Sequence, residues 1–217
     1  MKIEIKNLNK NFGNHVLFDN LNLEIESNKV TCIYGKSGCG KTTIIDIIGL
    51  IEKFNSGTVL YDGIAIKSKN DVRNMLREKI GFIFQDFGLI ENETVYQNMK
   101  MVYKVRKLKD QRTTIDNLLH DLNLENMLDR KVFELSGGEQ QRVAIAKTIL
   151  KNPDIILADE PTASLDTENK KIVLTMLRDF VDSGKTVIIV SHDSEILEYA
   201  DIIIDLAEVK KRYEQTV

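Results

Sequence analysis

The octapeptide from Gly35 to Thr42, GKSGCGKT, leaves this chain few folds to choose from. It fits the pattern G-x-x-x-x-G-K-[ST], with Gly35, Gly40, Lys41 and Thr42 in the fixed places. Before it, Lys29 to Tyr34 (KVTCIY) reads as a short buried strand. After it, Thr42 to Lys53 reads as a helix, with Ile44, Ile47, Ile48 and Ile51 at helical spacing. In that setting the loop is a phosphate cradle. Backbone N–H groups across Lys36, Ser37, Gly38, Cys39 and Gly40 can curl around phosphate oxygens, and the helix start at Thr42 and Thr43 adds partial positive charge. Lys41 then reaches the β- and γ-phosphates, and the Thr42 hydroxyl holds Mg²⁺. The bland alternative is a glycine-rich turn with a surface lysine; the strand–loop–helix context favours a nucleotide.

The 217 residues allow one large domain or a core with a subdomain, and 42% hydrophobic with 29% charged residues supports a packed core. A formal net charge of −3, with no run of lysine or arginine, argues against nucleic acid as a partner. No apolar stretch approaches the ~18–20 residues of a membrane span, and MKIEIKNLNK lacks the apolar centre of a signal peptide. The expected location is cytoplasmic, where Cys32 and Cys39 stay reduced. Cys32 reads as a small core residue and Cys39 as one filling a small slot in the loop.

Periodicity orders the rest. Ile3, Ile5 and Leu8 alternate as in a strand, and Val16 to Ile25 gives a second. Between them Asn11-Phe12-Gly13 sets an aromatic beside a glycine, either a core plug or a platform for a base. Thr58 to Ile66 reads as a hairpin turning at Asp62-Gly63. Asn70 to Glu78 is a short polar helix, and Ile80 to Phe84 a buried strand ending at Gln85. From Asp86 to Lys151 the pattern is helical. Thr94 caps a helix with Val95, Met99, Val102 and Val105 or Arg106 inward, Asp110 to Leu122 is a second, and Ser136 to Leu150 opens with the S-x-x-E box of Ser136 and Glu139. Then follow a strand (Asp154 to Ala158), a helix (Thr167 to Asp182), a strand (Thr186 to Val190), a helix (Ser194 to Ala200) and a last strand (Ile202 to Asp205). Strands alternating with helices predict an α/β fold, a mainly parallel sheet covered on both faces. One domain over 1–217 is expected, its core at 1–85 and 152–217 interrupted by a helical subdomain at 86–151.

In a parallel sheet, ligand chemistry gathers at the carboxyl ends of strands. Asp159 follows DIILA and can reach Mg²⁺ on the phosphates; Glu160 points elsewhere and can polarise a water for in-line attack. Gln85 and His192 end two further strands, the first to sense Mg²⁺ or the attacking water, the second to hydrogen-bond the γ-phosphate. Alone, each is an ordinary polar group at a strand end; converging with Thr42, they favour one site. His15 and His120 read as surface residues. Leu135 to Arg142, LSGGEQQR, starts a helix with two glycines, a second anion-binding N-terminus far along the chain. Two anion sites and one acid pair suggest that the second serves a nucleotide held by another subunit.

These motifs resemble, over essentially the whole chain, the ATP-binding-cassette (ABC) ATPases, the motor subunits of ABC transporters. GKSGCGKT matches their Walker A loop, ILADE at 156–160 the Walker B, LSGGEQQR the signature motif and Gln85 in FIFQDF the Q-loop. Ser164, Leu165 and Asp166 match the D-loop, His192 in SHD the switch histidine, and Phe12 the aromatic that stacks on adenine. The resemblance implies a P-loop (RecA-like) core with an N-terminal antiparallel β subdomain, and ATP and Mg²⁺ as cofactors. It implies Glu160, His192 and Gln85 as catalytic residues and Thr42, Gln85 and Asp159 at the metal. It implies a head-to-tail homodimer, with ATP between the loop of one chain and Leu135, Ser136, Gly137, Gly138, Glu139 and Gln140 of the other. An integral membrane permease would be the partner, holding the chain at the inner face of the cell membrane.

Within the family, LREKIGFIFQDFGLI, Asn98 and DEPTASLD are most similar to the lipoprotein-releasing and macrolide-efflux (LolD/MacB-like) group and to bacteriocin exporters. That group implies export or extraction of a peptide, lipoprotein or antimicrobial, with an extracytoplasmic adaptor. Phe87, Leu89 and Ile90 would line part of the permease surface, or belong to the helical core. Ser27-Asn28-Lys29 lacks the usual glycine, Cys39 replaces Ser or Ala, and Phe12 replaces Tyr; none of these removes a required chemical group. A division-type or other non-transport ABC ATPase is the alternative.

Overall fold

The structure is a computed structural model; it describes residues 1–106, 112–163 and 165–214, the side chains of 106, 194 and 211–214 excepted. Ser164 of the expected D-loop and the expected helix start at Asp110 lie outside the described residues.

In chain order, β1 (Ile3–Phe12) pairs antiparallel with β2 (His15–Ile25), and β3 (Val30–Tyr34) leads into α1 (Lys41–Ile48). β4 (Ser56–Tyr61) and β5 (Ile64–Ala65) form the Asp62-Gly63 hairpin. α2 (Lys69–Asn74) runs into a π turn at Met75–Lys79 and then β6 (Ile80–Ile83). α3 (Val95–Arg106), α4 (Arg112–Asp121) and α5 (Gly137–Lys151) follow, before β7 (Ile155–Asp159), α6 (Thr167–Asp182), β8 (Thr186–Ser191), α7 (Ser194–Tyr199), β9 (Ile202–Asp205) and α8 (Leu206–Glu214). Among the described residues these make two sheets, an antiparallel one ordered β2-β1-β4-β5 and a parallel one ordered β6-β7-β8-β3-β9.

β3 and β8 are apolar without alternation because both of their faces are covered. On one face α1 lies between the two sheets. Its Ile44, Ile47 and Ile48 pack with Ile33 and Ile188 of the parallel sheet and Ile3 and Ile5 of the antiparallel one. Each such isoleucine contributes about 1.5–3 kcal/mol on burial, so α1 fixes the two sheets and the loop before it as one body. On the other face Ile145, Val173 and Leu177 cover Cys32, Val187 and Ile189. The segment between β6 and β7 has its own core of Val95, Met99, Ile115, Leu119, Leu135 and Val143.

Three local expectations are corrected, and one helix is added. α1 stops at Ile48, not Lys53: Gly49 passes so close to Phe82 that a Cβ would lie 2.5 Å from the ring, Leu50 turns to φ +60, and Ile51 is left exposed. The helix read over Asn70 to Glu78 is α2 plus the π turn. On α3 the inner stripe is Val95, Met99, Val102 and Tyr103, with Val105 exposed. The last strand runs Ile202–Asp205 as expected, and a helix not read from the sequence follows it. Asp205 accepts the N–H groups of Ala207 and Glu208 at 2.8 and 3.3 Å and so caps α8, which packs against β2.

Candidate functional site

The carboxyl ends of β3, β7 and β8 come level, with Tyr34 paired to Ser191 and Asp159 to Val190. The loop after β3, the acids after β7 and the Ser191-His192 pair after β8 therefore open into one cleft of about 690 Å³. Ser37, Gly38, Gly40, Lys41, Thr42 and Thr43 enter it from the loop, Gln85, Asp159, Glu160 and His192 from strand ends, and Phe12 from the β1–β2 turn. Phe12 is 49% exposed, which excludes the core plug. One side of its ring faces the Lys10 ammonium, 4.2 Å from the centroid and paired with Glu52 at 2.7 Å.

Gly35, Lys36 and Cys39 are not part of the lining. The Gly35 and Lys36 carbonyls accept from Lys41 Nζ at 2.8 and 3.2 Å. An ammonium has three protons, so one remains for another acceptor. Gly40 has φ +105, and a Cβ there would meet Phe18 at 2.8 Å; glycine alone lets the loop close on the core. Cys39 is half-buried, its Sγ 2.7 Å from where a Cβ on Gly35 would stand.

The Thr42 hydroxyl bonds the Asp159 carboxylate. Burial pushes that carboxyl above its usual range and the Glu160 charge adds to the effect, against the Thr42 bond and Lys41. Burial and the Asp159 charge raise Asp46 as well. A cation would relieve this crowding, and Thr42 Oγ1 with Asp159 is a hard oxygen pair suited to Mg²⁺. Among the described residues no group of three or more His, Cys, Asp or Glu assembles a metal site on its own. Few protein ligands suit an ion that keeps waters and takes oxygens from phosphates.

Glu160 has φ +46, uncommon for a residue with a Cβ, and its N–H bonds Val190 O at 3.0 Å. The strand breaks there, and the carboxylate lies beside β8. Oε2 accepts from Ser191 Oγ at 2.9 Å, and Oε1 stands 2.6 Å from His192 Nδ1, so both oxygens are engaged. Ser191 is fully buried and also accepts the Asp193 N–H. The sequence reading missed Ser191; its signal was its place at the end of β8, just before His192. His15, read as a plain surface residue, is exposed but lines the cleft, as does Leu17.

The helix start at Ser136 does not line its own chain's cleft. Ser136 Oγ accepts the Glu139 N–H at 3.3 Å, Glu139 accepts the Ser136 N–H at 2.7 Å, and Gln140 Nε2 donates to Leu135 O. Glu139 and Gln140 thus shape the loop, and Leu135 is buried in the helical core, leaving Ser136 and Gly137 exposed. Asn169, also missed, ties this loop to Asp166. Its backbone and side-chain N–H groups donate to Asp166 at 2.8 Å each, while its carbonyl oxygen accepts from Arg142. The Asn169 carboxamide also stands against Gly138. Asp166 caps α6, and Leu165 packs on the parallel-sheet core. Buried Gln141 donates to Pro161 O at 3.0 Å, next to Glu160. Of the apolar residues after Gln85, Ile90 is exposed, Leu89 packs on the helical core, and Phe87 lies 4.0 Å from a Cβ position on Gly137.

The ABC transporter family pattern matches residues 18–163. The chain is 39% identical over 210 residues to the macrolide export ATP-binding/permease protein MacB of Campylobacter jejuni, covering 95% of this chain and 33% of the relative. It spans about a third of the length of such MacB relatives. It is 38% identical over 214 residues to the ABC transporter ATP-binding protein MJ1508 of Methanocaldococcus jannaschii, covering 95% of this chain and 96% of the relative. A solved dimeric structure of the bacterial ABC transporter cassette MJ0796 superposes with TM-score 0.83 at 33% identity, over 94% of each chain. The same cassette as a post-hydrolysis dimer bound to ADP and Pi gives 0.78 at 33% identity, again over 94% of each.

Proposed function

The chain belongs to the ABC transporter family, and from that premise we propose that it is the ATP-hydrolysing motor subunit of a transporter. It binds ATP with Mg²⁺ and closes head-to-tail on a second copy. It thereby drives an integral membrane permease in export or extraction of a peptide, lipoprotein or antimicrobial. The MacB relatives and the dimeric cassette support this reading. The same proposal places the chain at the cytoplasmic face of a membrane, held by the permease, with an extracytoplasmic adaptor beyond. No helix among the described residues is long and apolar enough to cross a membrane. Exposed Phe84, just before Gln85, and exposed Ile90, in the loop after it, are the proposed permease contacts.

The observation that carries the proposal is one cleft holding the phosphate loop, the Thr42–Asp159 pair and Glu160, while Ser136 and Gly137 stay outside it. Bound MgATP supplies the γ-phosphorus to be attacked and neutralises its developing charge. Phe12 stacks the base, Lys41 turns its third proton to the phosphates, and Glu160 takes the proton of the attacking water. Ser191 and His192 hold the Glu160 carboxylate in place. Glu160→Gln is expected to lower phosphate release by about 10²–10⁴-fold and to accumulate an ATP-bound dimer on size-exclusion chromatography. Hydrolysis at the wild-type rate would remove Glu160 from the role.

A further inference from the structure

α8 touches the phosphate loop at both of its ends. Buried Leu206 stands 3.8 Å from a Cβ position on Gly35, where the loop begins. One turn further, Lys210 Nζ donates to the Cys39 carbonyl at 3.0 Å, where the loop enters α1. The same ammonium lies 5.0 Å from the centroid of Phe18, the ring on which Gly40 rests. Lys210 is thus in contact with both the last loop carbonyl before Gly40 and the aromatic beneath it.

A phosphate loop works by turning its N–H groups inward, which requires its carbonyls to face outward and to find partners there. In a trans peptide the C=O and the following N–H point in opposite directions. With the Cys39 carbonyl drawn toward Lys210, the Gly40 N–H points away from α8; Gly40 lines the cleft and Lys210 does not. A cation on the carbonyl also polarises the peptide and strengthens its N–H as a donor.

We propose that Lys210, carried by α8, is a positioning residue for phosphate binding, fixing the Cys39–Gly40 peptide so that its N–H faces the nucleotide. This rests on the nucleotide reading above. It adds that the far C-terminal helix sets the affinity of a loop 171 residues earlier in the chain.

The test uses the full chain with two variants, Lys210→Met, which keeps the aliphatic stem without the charge, and Lys210→Arg, which restores a cationic donor. Fluorescence titration with N-methylanthraniloyl-ATP and Mg²⁺ should show roughly tenfold weaker binding for Lys210→Met, the scale of one charge-assisted hydrogen bond, and recovery for Lys210→Arg. Hydrogen exchange without nucleotide should be faster at Gly38 to Thr42 in Lys210→Met, with α6 and β8 unchanged. A lower melting temperature with unchanged affinity and unchanged loop exchange would make Lys210 a mere anchor for α8 and overturn the proposal. If the wild-type chain itself bound no N-methylanthraniloyl-ATP, the nucleotide reading would fail, and loop exchange would still decide for or against Lys210.

Discussion

Cys32 and Cys39 carry the same thiol in opposite settings. Cys32 is fully buried in the middle of β3, and burial, with a smaller push from the Glu160 charge, raises it to about 12. Its native form keeps the proton where the unfolded form loses it. This thiol therefore costs stability increasingly as pH rises from the unfolded value of about 8.5 toward 12. Cys39 is half-buried at the phosphate loop. Labelling the native protein with 5,5′-dithiobis(2-nitrobenzoate) at pH 8 should modify Cys39 and spare Cys32, denaturation should expose both, and MgATP should protect Cys39. Modification of Cys32 in the native state would contradict the burial. The sequence announced Gly40, Lys41 and Thr42, since their pattern is contiguous and each is chosen for a local backbone or chemical need. It could not announce Ser191 or Asn169, whose partners Glu160 and Arg142 come from other elements. Phe12 shows the same limit, because an aromatic beside a glycine has no side until the sheet gives it one.

At the level of elements, apolar strands were easy to read because both of their faces are covered, whereas bends were not. β1 shifts register at Asn7, which has φ +51, and Gly57 of β4 passes beneath it at φ +109. A Cβ on Gly57 would lie 2.5 Å from the Asn7 carbonyl, which is backbone and cannot step aside. Gly57→Ala should therefore destabilise the fold by about 1–3 kcal/mol in urea unfolding, while hydrogen exchange at the phosphate loop, which follows a strand of the other sheet, is unchanged. The bulge is stitched by asparagines: Asn22 accepts the Asn7 N–H and Asn9 the Asn20 N–H, both at 3.0 Å. No periodicity signals such pairings, because they satisfy backbone groups released by irregularity. α8 went unread for a related reason: its charged sequence has a short apolar stripe, and what holds it is β2 and the phosphate loop, both distant in sequence.

On the scale of the molecule, the α/β layering was legible from alternation alone, since each parallel strand needs a covering helix. The proposed half-site character of the cleft rests, in the sequence, on an imbalance, two anion-binding turns against one acid pair. Ser136 and Gly137 are exposed at the start of α5 while the rest of their motif is turned inward. Ser136→Arg should therefore block ATP-dependent dimerisation, followed by light scattering in the Glu160→Gln background, and leave ATP binding by the single chain intact; an unchanged dimer would refute the cross-chain arrangement. The ties from Gln141 to Pro161 and from Asn169 to Asp166 join that exposed turn to the loop after Glu160. Few bonds therefore separate that exposed turn from Glu160.

Glu160 with one oxygen on Ser191 and the other on His192 is a carboxylate with a fixed aim. Each carboxylate oxygen keeps a second acceptor site, and with one site on each taken, Ser191 and His192 set the direction left open to a water. On the proposed role of Glu160, a displacement of the exposed imidazole of His192 would release one oxygen and re-aim the carboxylate.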